Sequence, residues 1–272
     1  METRQLDHEE IQTFCAQISS SLNIEVLETA TSTNDIAKER LIEQPEKMHL
    51  IATNKQTAGR GRQGKSFYSS LKHGLYFSIA LKPNESSLTN IPLYTIMAAA
   101  ALIEVLESSV EEPLAIKWVN DIFYNGRKIS GILSEMVSNG GSLNRPGVVV
   151  GIGINFAGSF NEADEQTKGV AGTLFGEELP ESFNQNQFLS EYVNQFHHYH
   201  QHFQEKVFMK PYEEHLMGVG QTVTFKRNNQ LDEGTIRGIN AHGHLLVEKA
   251  DGTIEALYGQ AIHFSSSQFA KE

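Results

Sequence analysis

The chain has 272 residues, 39% of them hydrophobic and 20% charged, with a formal net charge of −11 at pH 7. That length can bury a substantial core, as one large domain or as one large and one small. A single cysteine, Cys15, excludes an intramolecular disulfide and a cysteine-based zinc site; with no basic-then-apolar leader at the start of the sequence, the expected location is the cytoplasm. The longest apolar run, residues 96–103, is far too short to span a bilayer.

Ile11, Phe14, Cys15, Ile18 and Leu22 fall at helical spacing, so the first segment reads as an amphipathic helix with Cys15 on its buried face, a core thiol rather than a reactive one. A strand over 24–28 leads to Thr31-Ser32-Thr33-Asn34-Asp35 and then to a helix over 36–43. Ser32 or Thr33 can cap that helix, and the same hydroxyls and amides can instead face a polar ligand at its start; spacing alone favours the cap.

A strand over 49–53 enters residues 55–65, Lys-Gln-Thr-Ala-Gly-Arg-Gly-Arg-Gln-Gly-Lys. Gly59, Gly61 and Gly64 open backbone conformations closed to other residues, and Arg60, Arg62 and Lys65 stand between them as cations, so the loop can wrap an anion. Every charged residue from Lys47 to Lys82 is basic, which gives +7 and leaves −18 on the rest of the chain. A positive island on an acidic protein points to a particular anionic ligand rather than to a general nucleic-acid surface. Residues 59–66 also fit the P-loop pattern, but that motif needs a helix directly afterwards, and 66–74 is short, rich in Ser and aromatics, and runs into a strand-like 75–81. A solvated basic loop and a nucleic-acid-binding basic module are the other readings of the stretch.

The strand over 74–81 is followed by an Ala- and Leu-rich segment, 91–108, apolar on most sides, which predicts a buried helix lying on a sheet. Pro113 opens a strand over 114–119. Asn125-Gly126 is the preferred two-residue type I′ turn, flanked by 122–124 and 128–129 with Arg127 beginning the return, so a hairpin brings Asp121 and Lys128 close. Strands continue over 132–136 and 148–156; Gly151 and Gly153 inside the latter imply that another group approaches its backbone closely, and Asn155 closes it. From Phe188, Tyr192, Phe196, Tyr199 and Phe203 keep helical spacing. His198 and His202 on this helix are four apart, as two metal ligands or as part of a solvated face, with no carboxylate to complete a zinc pattern. Beyond Gly218, strand-like pieces at 221–226, 234–239, 244–249 and 253–258 are separated by Asn228-Asn229, His242-Gly243 and Asp251-Gly252, the pattern of a small antiparallel barrel or sandwich of about 50 residues.

Taken in order, Ser32-Thr33-Asn34, residues 56–64, Lys117-Trp118-Val119-Asn120-Asp121, residues 128–133 and Gly151-Ile152-Gly153-Ile154-Asn155, followed by the small C-terminal β unit, resemble the biotin protein ligase family. The resemblance implies an α+β fold: a mixed sheet packed with helices, like class II synthetases, over 1–217, and an SH3-like β-barrel over 218–272. It also implies two steps, in which biotin and MgATP form biotinyl-5′-AMP and the biotinyl group then passes to one lysine of a biotin carboxyl carrier domain. Only 31 residues precede Ser32, too few for the winged-helix domain of the repressor-type relatives, so a ligase without that role is expected, acting on no nucleic acid and no membrane, as a monomer or weak homodimer.

By the same resemblance, Ser32, Thr33, Asn34, Gln56, Arg60, Gly61, Arg62 and Lys128 meet biotin, and Arg60, Arg62, Lys65, Phe67, Lys117, Asn120, Lys128 and Asn155 meet ATP or the adenylate. Biotin's carboxylate is already ionised at neutral pH, so the first step needs cations at the α-phosphate rather than a base; Arg60, Arg62 and Lys128 take that role. Asn120 and Asp121 orient Lys128 or the hydrated Mg²⁺ that arrives with ATP, no dedicated metal site being expected, and Asp121 is the candidate proton acceptor in the second step. Two departures stand out: Val119 where the family carries proline, and Phe67 where some relatives carry tryptophan. Lipoate and octanoyl transferases share the fold; the Gly-Arg-Gly-Arg loop together with Lys-Trp-x-Asn-Asp favours biotin. The glycine loop is expected to be mobile when empty and to close over ligand.

Overall fold

The computed structural model describes residues 5–18, 20–83, 91–138, 146–227 and 230–258. Its centre is a pair of long antiparallel strands, β3 (His73–Leu81) and β7 (Gly147–Ala157), in which every residue is buried. Around them a seven-stranded mixed sheet runs β1 (Leu22–Leu27), β2 (Met48–Thr53), β3, β7, β6 (Arg127–Val137), β5 (Asp121–Tyr124), β4 (Ala115–Lys117). Only β1 and β2 are parallel, since α2 (Thr33–Glu43) crosses between them.

Helices cover both faces of this sheet. On one, α2 seats Ala37 and Leu41 against Ile51, Ala80 and Val149. On the other, α3 (Ile91–Glu107) packs on β6 and β7 and is itself overlaid by α5 (Gln185–Gln201) and α6 (Met209–Glu214), which explains why it is apolar on most sides. No helix among the described residues is long and apolar enough to cross a membrane.

Several boundaries differ from the sequence expectations. The first helix, α1 (His8–Phe14), is capped by Asp7 and ends where Cys15 begins the C-cap, so Phe14 is 44% exposed. Cys15, Ile18 and Leu22 are nevertheless buried, because the chain turns to start β1 against Met48 instead of continuing as helix. The strand expected over 114–119 stops at Lys117, where a turn with a cis Trp118–Val119 peptide leads into β5. The short helices α4 (Glu165–Val170) and α6 carry too few residues to show a period. The Asn125-Gly126 turn has both residues at positive φ, +48° and +71°, as a type I′ turn requires.

The C-terminal segment folds as a four-stranded antiparallel meander, β8 (Thr222–Arg227), β9 (Gln230–Ile239), β10 (Leu245–Glu248) and β11 (Ile254–Leu257). β9 starts at Gln230, earlier than residue 234, because its first residues, Gln230 to Thr235, pair with the whole of β8. The Asn228-Asn229 turn and residues 259–272 lie outside the described residues. Val223, Phe225, Ile236, Leu245 and Val247 form a core continuous with that of the large sheet. At the junction the β9–β10 turn presses on α3: Gly243 has φ +77°, and a Cβ there would lie 2.3 Å from Ile96 Cδ1. The indole Nε1 of Trp118 donates to Gly243 O at 3.0 Å, and Lys206 Nζ donates to Ala241 O at 2.7 Å.

Two alanine variants separate backbone strain from crowding at this junction. Gly252 has φ +82° with nothing within 4 Å of an added Cβ, so Gly252→Ala should cost about 1 kcal/mol of left-handed strain. Gly243→Ala should cost that and a further ~1–3 kcal/mol for the clash with Ile96, read as a lower denaturant midpoint at unchanged slope; equal costs for the two variants would show that the turn does not bear on α3.

Candidate functional site

Five segments converge at one end of the β6–β7 pair: the start of α2, the glycine loop, the β4–β5 turn, the first half of β6 and the glycine-bearing part of β7. They enclose a cavity of about 270 Å³. A second, wider cavity of about 760 Å³ adjoins it, bounded by Tyr68, Asn155, Phe160 and the α4 segment. The two share one wall, made of Lys65, Ser66, Phe67, Lys117, Asp121 and Lys128.

The close approaches implied by Gly151 and Gly153 are made by Asn34 and Phe67. A Cβ on Gly151 would lie 1.9 Å from Asn34 Oδ1, and one on Gly153 would lie 2.5 Å from Phe67 Cε1. Gly131, paired with Gly153 across the β6–β7 ladder, leaves the same ring 3.1 Å from its own missing Cβ. Phe67 therefore lies on bare backbone, edge-on to Tyr76 with centroids 6.2 Å apart, and Lys128 Nζ stands 6.0 Å from its centroid.

Ser32 occupies the N-cap position of α2, but its side chain makes no cap hydrogen bond, so the expectation of a Ser32 or Thr33 cap is corrected. Gln56 does that work from outside: Thr33 N donates to Gln56 Oε1 at 2.8 Å, and the Thr33 hydroxyl lies 3.2 Å from the same oxygen. Ser32, Thr33, Asn34 and Gln56 all line the first cavity. Thr33 and Asn34 also meet the buried Ser78 of β3, at 2.7 and 2.6 Å, and Asn34 Nδ2 donates to Glu135 Oε2 at 2.7 Å.

The glycine loop is an internally bonded turn. Phe67 N donates to Gly59 O at 2.9 Å and Gly61 N to Lys65 O at 2.7 Å, around a short 3-10 turn, Arg62–Gly64. Of its three glycines, Gly64 needs positive φ, at +73°, and Gly59 needs a missing Cβ, since one would lie 2.3 Å from Ser69 Oγ. At Gly61 an added Cβ would meet nothing closer than 3.5 Å. Gln63, a non-glycine, also takes positive φ at +58°.

The loop's two arginines diverge. Arg62 lines the first cavity and donates to Asn120 Oδ1 at 2.8 Å. Arg60 lines the first cavity but turns its guanidinium to α2, donating to Asp35 Oδ1 at 2.5 Å with Glu135 Oε2 at 3.6 Å. Lys128 Nζ meets Asp121 Oδ1 at 2.6 Å, the contact expected of the Asn-Gly hairpin. A register shift between Ile122 and Phe123 leaves Ile129 of β6 without a partner on β5, and Asp121 is formally opposite Gly131 while its carboxylate reaches Lys128.

The charges are close enough to perturb one another. Burial pulls the Lys117 ammonium below its usual range, Asp121 opposes this, and Lys128 and Lys65 push it further down. Burial likewise lowers Arg62, against the attraction of Asp121. Burial alone would raise the Glu135 carboxyl, but hydrogen bonds from Lys38 and Asn34 and the charges of Lys38 and Arg60 outweigh it and hold the group below the usual carboxylate range. Asn155 lines the second cavity; its Nδ2 donates to Gly172 O at 3.2 Å, and its buried Oδ1 has no hydrogen-bond partner among the described residues. Sequence reasoning missed Ser78, Glu135 and Gly131. Neither Ser78 nor Glu135 carried a local signal, since a lone serine or carboxylate in a strand is ordinary.

Residues 26–155 match the biotin/lipoate A/B protein ligase family, and residues 218–259 match the biotin protein ligase C terminal domain. Among curated proteins, the bifunctional ligase/repressor BirA of Bacillus subtilis (strain 168) is 30% identical over 216 residues, which cover 78% of this chain and 65% of that protein. The chain thus spans just under two thirds of the length of this relative. The biotin–[acetyl-CoA-carboxylase] ligase of Paracoccus denitrificans is 37% identical over 112 residues, 40% of this chain and 45% of that protein. The biotin protein ligase from Aquifex aeolicus, solved in complex with biotin and ATP, superposes with a TM-score of 0.72 at 27% identity, over 89% of this chain and 98% of that one. The ordered motifs, the mixed sheet and the C-terminal β unit agree with these matches, and the chain belongs to the biotin/lipoate A/B protein ligase family, with the C-terminal domain of its biotin protein ligases.

Proposed function

We propose that the chain activates biotin with ATP to biotinyl-5′-AMP and transfers the biotinyl group to a lysine of a biotin carboxyl carrier domain. The observation that carries this reading is the pair of adjoining cavities with one shared cationic wall. A carboxylate in the smaller cavity and a nucleotide in the larger would meet at Lys128, Lys117 and Arg62, which is what joining two anions demands. The smaller cavity ends in Ser32, Thr33 and Gln56, polar partners suited to biotin's ureido ring and wasted on a dithiolane. The unpartnered Asn155 Oδ1 in the larger cavity suits an amino group of a purine, and Phe67 offers a ring face.

Biotin presents an ionised carboxylate, so the chain's residues supply positive charge and orientation rather than a base. Lys128 is held on the rigid hairpin by Asp121, and Arg62 is held over it by Asn120. Mg²⁺ bound with the triphosphate spreads the phosphate charge, and Asp121 is the carboxylate of the shared wall that would hold the hydrated ion. In the transfer step the incoming ammonium has to lose its proton, and Asp121, the carboxylate of the shared wall, is our candidate acceptor. We read residues 1–217 as the catalytic unit and 218–272 as the SH3-like one, in a cytoplasmic protein acting as a monomer or weak homodimer.

The direct test is ATP-dependent transfer of labelled biotin to a carrier domain by the purified protein, with lipoate as control; no transfer, or equal use of lipoate, would overturn the reading. Lys128→Ala should reduce biotin-dependent pyrophosphate exchange by about 100-fold or more while the protein still melts cooperatively, and exchange near the parent rate would remove Lys128 from the mechanism. Arg62→Gly cuts the loop's tie to Asn120, so it should release adenylate that acylates lysines of an added bystander protein. Bystander labelling no greater than the parent's would show that the loop is not a lid.

A further inference from the structure

Thr33 and Asn34 of the smaller cavity join Ser78 and Glu135 behind it in one connected chain whose donors and acceptors are set from one end. It starts at Glu135, which receives Lys38 Nζ at 2.8 Å on one oxygen and Asn34 Nδ2 at 2.7 Å on the other, and is held ionised by them. Asn34 Nδ2 also donates to Leu133 O at 3.3 Å. Both partners can only accept, so the amide has one orientation and presents Oδ1 to Ser78.

Ser78 is fully buried and has one proton for two neighbours, Asn34 Oδ1 at 2.6 Å and Thr33 Oγ1 at 2.7 Å. A carbonyl oxygen can only accept, so Asn34 takes it. The Thr33 proton is then committed inward, to Ser78 Oγ or to Gln56 Oε1 at 3.2 Å, and in either case Thr33 Oγ1 turns lone pairs to the cavity that it lines. Gln56 Oε1 is occupied by Thr33 N at 2.8 Å, and of the two Nε2 protons one goes to Ser69 Oγ at 3.4 Å, so what Gln56 has left for the cavity is the other, a donor. An acceptor therefore stands beside a donor, the complement of an N–H next to a carbonyl in a cyclic urea.

We propose that Ser78 and Glu135, which do not line the cavity, are positioning residues that fix Thr33 as a hydrogen-bond acceptor and so select biotin's ureido head over a ring without N–H groups. The proposal rests on the ligase reading above. Gly151 belongs to the device, because a Cβ there would fall 1.9 Å from Asn34 Oδ1 and displace the amide that relays the order. Glu135→Gln is nearly isosteric and reverses the relay. With Lys38 on the glutamine oxygen, the new amide nitrogen faces Asn34 and turns it over, Asn34 Nδ2 then faces Ser78, and the Ser78 proton passes to Thr33, whose own proton is left with only the long 3.2 Å contact to Gln56 Oε1, already taken by Thr33 N, and is freed to point into the cavity as a donor.

The test measures biotin affinity by calorimetry, and KM for biotin and for ATP in pyrophosphate exchange, for Glu135→Gln, Ser78→Ala, Thr33→Val and the double variant Glu135→Gln/Thr33→Val. Each single variant should weaken biotin by about tenfold or more and leave the KM for ATP within about twofold. Glu135→Gln should add nothing in the Thr33→Val background, since it acts through that hydroxyl; a merely structural loss would persist there. If Glu135→Gln does not fold, Ser78→Ala and Thr33→Val with their double variant carry the same comparison. Unchanged biotin affinity in folded single variants, or the same loss with and without Thr33, overturns the inference while the ligase reading stands. A parent protein that neither binds biotin nor exchanges pyrophosphate overturns the ligase reading and the inference with it.

Discussion

The site depends on three missing side chains. Gly151 and Gly153 stand two apart on β7 and so face the same way, and Gly131 lies opposite Gly153 on β6. Together they leave a bare patch on one face of an otherwise densely packed sheet, into which Asn34 and the Phe67 ring descend. Both strands are hydrogen-bonded on both sides, so the patch cannot move away from what lies on it. A side chain at any of the three would lift either the start of α2 or the aromatic floor common to both cavities. Rigidity of the sheet is thereby converted into placement of the ligand-facing groups.

Cations gather at the site against the protein's own negative balance, and local carboxylates and amides hold them apart. Asp121 takes Lys128, Asn120 takes Arg62, and Asp35 with Glu135 takes Arg60. Without such partners, clustered ammonium and guanidinium groups would repel one another and lose orientation. The run of positive charge along the sequence is only partly what the site uses. Lys72 pairs with Glu178 and Lys82 with Glu46 elsewhere on the molecule, whereas Lys117 and Lys128 come in from outside the run.

The C-terminal sheet bears on the same architecture through Trp118. Its indole is anchored on Gly243 O, while its neighbours Lys117 and Asn120 line the smaller cavity. On the other flank, His215 O accepts from Ile116 N and Met217 N donates to Ile116 O, so the segment after α6 extends the sheet beside β4. The turn that carries Lys117, Asn120 and Asp121 is thus clamped between the large sheet and the C-terminal unit, which limits how far its polar groups can drift.

Local patterns in the sequence determined a good deal: the type I′ turn at Asn125-Gly126 and hence the meeting of Asp121 with Lys128, the buried helix α3, the close approach at Gly151 and Gly153, and the ordered motifs that carry the family resemblance. These are legible because each depends on φ/ψ limits or on apolar period over a few residues. What approaches the glycines, and from where, was not legible, because Asn34, Phe67 and β7 are far apart along the chain and meet only when the sheet order is set. The same holds for the cap of α2, given by Gln56 rather than by its own Ser32, and for the divergence of Arg60 from Arg62. Tertiary structure alone decided these, since a side chain's partner is chosen by which groups the folded backbone brings within about 3 Å, a distance that sequence separation does not encode.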